Sequence, residues 1–143
     1  MNTQSTLQNT LEDSKLNLKT KLAAAWASLM LIYIYVDYFH LYMPGSLEDI
    51  HKGKVFVFDI TEGFLLAVSI MMTIPALMIF LSVALPDKVN RWTNIIIATL
   101  YIPFTVFNLA GEAWIHMVFT VIVEAALLCL IIRHAWRWPK IKA

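Results

Sequence analysis

Two carboxylates sit where carboxylates are costly. Asp37 and Glu124 each lie inside a long apolar run, and an ionisable side chain at membrane depth costs several kcal/mol unless it is paired or hydrated. Their side chains are too short to reach the membrane surface as Lys or Arg do. Both are therefore expected to face the interior of a helix bundle. Three kinds of chemistry suit such a pair: carrying a proton, binding a ligand, or general acid–base work on an apolar substrate.

Their neighbours extend the pattern. Glu112, His116, Thr120 and Glu124 recur every four residues, which on a helix forms one slowly turning polar stripe. Tyr33, Asp37 and His40 share a helical face, and Asn94, Tyr101, Thr105 and Asn108 follow one side of another segment. Glu62, Ser69 and Thr73 add a fourth polar set. Facing one another, these stripes would enclose an outward-open pocket with Asp37 and Glu124 at its base. Tyr33, Tyr101, Asn108, His116 and Glu112 are the other candidates to bind a ligand or pass a proton. A plainer reading competes with this one. Polar side chains often join membrane helices through hydrogen bonds worth about 0.6 kcal/mol, and Thr73 or Thr105 taken alone suits that role better.

Other chemistries find no support. His40 and His116 lie on different segments, and neither belongs to an HxxxH or ExxH pair, so no metal site is expected. The four glycines are not clustered into a phosphate loop, and no Ser or Cys nucleophile has an evident His partner. No CxxCH haem signature is present. No cofactor is expected. Cys129 is the single cysteine, in an apolar run, and reads as a small packing residue.

The elements that must position these residues are membrane helices. Of 143 residues, 59% are hydrophobic and 15% charged, against about 45–50% and 25% in soluble domains. A net charge of +1 gives no broad basic field for nucleic acid. About 20 apolar residues cross the roughly 30 Å hydrocarbon core, and four stretches qualify. The spans are expected at 22–43, 60–85, 92–110 and 112–138, the last with an inner extension. They are joined by an outer loop at 44–59 and an inner loop at 86–91. Residues 1–21 form a cytoplasmic segment in which Leu7, Leu11, Leu18 and Leu22 repeat at helical spacing, and 139–143 form a tail. The first 21 residues resemble neither a signal nor a transit peptide, so the first helix is expected to stay as an anchor.

Nine Lys and Arg side chains flank one set of span ends and two flank the other. The excess of basic residues marks the cytoplasmic side, so both termini are expected inside, in a cytoplasmic inner membrane. The fold class expected is all-α, a membrane-embedded four-helix bundle with N-in/C-in topology. Trp26, Arg91, Trp92, Trp136 and Trp138 fall near the inner boundary and Tyr38, Tyr42 and Trp114 near the outer one, as interfacial anchors do. Pro75 and Pro103 lie inside the second and third spans, where each removes a backbone hydrogen bond and kinks the helix.

Three runs resemble a family of small bacterial four-helix membrane proteins of unknown function. They are Lys21–Ser28 with Tyr33–Phe39 and Tyr42–Gly45, then Asn90–Ile96, then Ala135–Pro139. The similarity covers roughly residues 19–139, and segment 46–63 departs from it. It implies that Asp37, Asn90, Arg91, Trp92, Asn94 and Glu124 are shared by relatives, and it implies no activity. The layout alone is also similar to that of DoxX-like four-helix proteins, with no motif to carry it.

Three functions follow, in this order. The first is binding or proton-coupled transport of a small or lipid-like ligand; four helices are few for a lone transporter, so it implies a homo-oligomer. The second is an accessory subunit whose polar stripes only hold helices together, with a closely packed interior. The third is a membrane enzyme using Asp37 and Glu124 as acid and base, which requires the two carboxyls to share one site. Membrane lipids are the one partner expected in every case.

Overall fold

The computed structural model describes residues 16–110 and 113–139. Glu112, the repeat at Leu7 and Leu11, and the end of the tail lie outside the described residues. Helix α1 spans Leu18–His40 and opens on Asn17, whose side chain accepts a hydrogen bond from the Lys19 backbone N–H, satisfying a donor that a helix start otherwise leaves free. It starts four residues earlier and ends three earlier than the apolar run suggests, because the cap extends it back into polar sequence and Leu41–Met43 leave the helix in a turn.

The expected outer loop is structured. Gly45 takes φ +90°, a left-handed conformation that glycine adopts without steric cost, and α2 (Ser46–His51) follows. Strands β1 (Lys54–Val55) and β2 (Phe58–Asp59) then pair antiparallel across the two-residue turn Phe56-Val57. Phe56 holds φ +52°, a strained position for a bulky residue, of order 1–3 kcal/mol. Its ring lies 4.6 Å from that of His40, a contact that helps to keep it there.

Helix α3 spans Glu62–Ala84, capped by the Thr61 hydroxyl on the Phe64 N–H. Leu85 is extended before Pro86, and α4 runs Asp87–Phe107. The third span thus begins five residues before its expected start, since Pro86 ends one helix and leads into the next. Helix α5 spans Ile115–Trp136.

Helix α1 packs between α3 and α5, and α4 packs chiefly on α5 with a slighter contact to α3. Side-chain contacts fix the directions. Trp26 meets Asn94 and Tyr33 meets Thr105, so α1 and α4 run parallel. Lys19 reaches Leu85 and Asp87, and Arg91 reaches Trp136, so α3 and α5 run opposite to them. The core follows the α1 face Leu22, Trp26, Leu29 and Tyr33, with Met78, Ala98, Tyr101, Leu128 and Ile131 against it. Trp26 is wholly buried rather than interfacial, as its place in that repeat requires. Edge-on ring contacts join Trp26 to Tyr101 and Tyr101 to Phe104.

The outside of the bundle is apolar. Large side chains such as Leu31, Ile34, Leu66, Ile70, Phe80, Leu100, Phe119 and Ile122 face outward. A helix that is apolar on every side belongs in a core or in lipid. Helices α1, α3 and α5 are long and apolar enough to cross a membrane. Helix α4 is as long, but Asn90, Arg91 and Asn94 in its first two turns make it more polar.

Candidate functional site

Polar side chains inside the bundle divide into two groups. At the basic end, Asn94 Oδ1 accepts from the Trp26 indole N–H at 2.7 Å and from the Ser82 hydroxyl at 3.2 Å. Its amide donates to the Asn90 side-chain and backbone oxygens at 2.6 and 2.9 Å, and the Asn90 amide donates to the Ser82 carbonyl at 2.6 Å. Asn90, Asn94 and Ser82 are 0% exposed. Three helices are joined by a closed set of bonds, and Lys19 ties them again through the Leu85 carbonyl at 2.8 Å and the Asp87 carboxylate at 3.0 Å.

The second group lies nearer the hairpin end. Tyr33 and Thr105 hydroxyls are 2.9 Å apart, and Thr105 neighbours the Glu124 carboxyl. Glu124 is on the buried face of α5, with Met117, Val121, Leu128, Ile131 and Ala135. It is 1% exposed, and its Oε2 has no hydrogen-bond partner among the described residues. Such an atom is rare, because buried polar groups are nearly always paired. It leaves one carboxyl oxygen of Glu124 without a partner, although the Thr105 hydroxyl lies beside the group.

The remaining candidates are placed as follows. Asp37 is exposed, against the expected interior position. Since α1 ends at His40, Asp37 is three residues from the helix end, or about 4.5 Å, not the 9 Å that a helix ending at Met43 would give. It is near enough to act electrostatically on Glu124, but the two do not face one buried site. Tyr101 is buried and its hydroxyl donates to the Met71 carbonyl. That carbonyl is the acceptor that Pro75, lacking an N–H, leaves free four residues on. Tyr101 thus repairs the proline break rather than lining a pocket. His116 is half-buried with Nε2 unpartnered among the described residues, and its ring lies edge-on to Trp114. Asn108 is half-buried at the C-cap of α4.

The α3 set does not join the interior: Glu62, Ser69 and Thr73 are exposed, and the Thr73 hydroxyl donates to the Ser69 carbonyl at 2.7 Å. Thr120 likewise bonds the Met117 carbonyl on its own helix. At the basic end the Arg91 guanidinium lies over the rings of Trp92 and Trp136, 5.5 and 5.9 Å from their centres, a cation–π arrangement. Trp92 and Trp136 are exposed, whereas Trp138 is half-buried against the core. Cys129 is exposed on α5, not packed inside.

Sequence reasoning underrated Thr105 and missed Ser82 and Trp26 as polar partners. Trp26 was discoverable from its i, i+4, i+7, i+11 repeat with Leu22, Leu29 and Tyr33. Ser82 had no local signal, since its partners come from another helix.

No curated protein and no solved structure matches the chain. Residues 11–143 match the model of a family described as Family of unknown function (DUF6326), and the chain belongs to that family.

Proposed function

We propose that this member of a family without an assigned activity is a four-span membrane protein that binds a small or lipid-like ligand, or carries a proton with one, at Glu124. The observation that carries the reading is the buried carboxyl of Glu124 with Oε2 unpartnered among the described residues. A carboxyl kept for packing would have both oxygens bonded, as Asn94 has its oxygen and amide bonded. Tyr33 and Thr105 supply hydroxyls beside it, and His116 on α5 and Asn108 at the C-cap of α4 stand between it and the hairpin end. Access is proposed from that end.

Helix α4 serves as the fourth span. Its 21 residues reach about 31 Å, and the asparagines that lower its hydropathy are bonded inside the bundle rather than offered to lipid. The nine-to-two excess of Lys and Arg puts both termini in the cytoplasm, with the hairpin outside. Asp37 then sits at the outer interface, where water reaches it, and contributes charge at the mouth. A homo-oligomer completes the site in this reading.

One specific observation favours a second reading, an accessory subunit. The closed network of Trp26, Ser82, Asn90 and Asn94 is what a helix-holding role needs. It accounts for the basic end and leaves Glu124 unexplained.

Mass spectrometry of small molecules and lipids that co-purify with the full chain tests the proposal. A species retained by the wild type and lost from a folded Glu124→Gln variant is the expected result. Identical retention by both, with Asp37→Asn also unchanged, would falsify the binding reading.

A further inference from the structure

A hollow of about 330 Å³ opens at the basic end between α1 and α5, at the low end of the roughly 300–1,000 Å³ typical of ligand sites. Small residues make it. Ala24, Ala25 and Ser28 on α1 face Leu127 and Leu130 on α5, so the helices leave a slot beside the leucines. The Ser28 hydroxyl donates to the Ala24 carbonyl at 3.0 Å, which satisfies it on its own helix and leaves the slot wall apolar. The end toward the helix termini is different in kind: Lys21, His134 and Thr20 line it, and among the described residues no acid does. The nearest acid on the α3–α4 turn, Asp87, is already bonded to Lys19. Ala24, Ser28 and Leu130 are exposed, so the slot opens sideways to whatever surrounds the bundle.

We propose that this slot holds one anionic phospholipid, with an acyl chain against Ala24, Ala25, Leu127 and Leu130 and its phosphate on Lys21 and His134. Charge complementarity selects the occupant: an apolar trough closed at one end by basic side chains matches an anionic headgroup above a hydrocarbon tail, at the level where headgroups lie. The proposal rests on the membrane reading but not on Glu124, which is in the other half of the bundle.

Native mass spectrometry of the full chain, with phosphatidylglycerol or phosphatidylcholine added in equal amounts, tests it. Phosphatidylglycerol is retained in preference. A basic side chain near anionic lipid is worth about fivefold in affinity, so Lys21→Gln lowers retention about fivefold, and adding His134→Gln lowers it further. Ala24→Phe, which fills the slot without changing charge, lowers retention of both lipids. Arg137→Gln, at the same end but outside the slot, leaves it nearly unchanged. Equal retention of the two lipids overturns the proposal. So does an Arg137→Gln loss as large as that of Lys21→Gln, which would mean diffuse attraction, or full retention by Ala24→Phe.

Discussion

Asn94 and Glu124 show two outcomes for a polar side chain in an apolar surround. Asn94 has partners from α1, α3 and α4, and removing it strands the Trp26 indole N–H. Leaving a buried donor or acceptor unpaired costs about 1–3 kcal/mol, so Asn94→Ala is expected to destabilise by about that much in reversible unfolding from detergent micelles. An unchanged unfolding midpoint would show that the network holds nothing together. At this scale the sequence was legible where a residue's own helix decides its fate. Glu124 falls on the repeat that buries α5, whereas Asp37 depended on where α1 ends, and a run of apolar letters does not reveal a turn at Leu41–Met43. Asn94 was legible as polar and interior, but its partners were not, because Trp26 and Ser82 come from helices far away in sequence.

Among the elements, α3 shows what one residue does to a helix and how a neighbour answers it. Pro75 deletes one helical hydrogen bond, and the Tyr101 hydroxyl from α4 bonds the freed Met71 carbonyl. The two positions are therefore expected to couple. Tyr101→Phe should cost about 1 kcal/mol in the wild-type background and much less beside Pro75→Ala, where the backbone N–H returns. A double-mutant cycle measures this, and strictly additive effects would refute it. The four long helices were readable from apolar length and from the breakers Pro44-Gly45 and Pro86. Their ends were shifted by several residues, because caps at Asn17 and Pro86 extend helices into polar sequence. The small hairpin at 54–59 was not anticipated: two-residue strands are too short to show alternation, and its turn uses Phe56 rather than glycine.

At the scale of the whole molecule, an apolar exterior with the polar side chains of Asn90, Asn94 and Glu124 held inside fits a bundle whose solvent is lipid. Single cysteines in a Cys129→Ala background give the orientation directly. A cysteine at Lys54 is expected to react with an impermeant maleimide from outside intact cells, and one at Lys88 only after lysis. The reverse pattern would invert the assignment, and reaction of both from outside would remove α3, the helix between them, as a span. In the proposed role, Glu124 is kept for function at the expense of stability. Replacing a buried group that lacks its bonds with an apolar one of similar size is often neutral or stabilising, and functional sites commonly trade stability in this way. The most direct measurement is the thermal unfolding midpoint of Glu124→Leu against the wild type, both in lipid nanodiscs. A midpoint equal to or above that of the wild type is expected; a fall of several degrees would contradict the account and make Glu124 a structural residue.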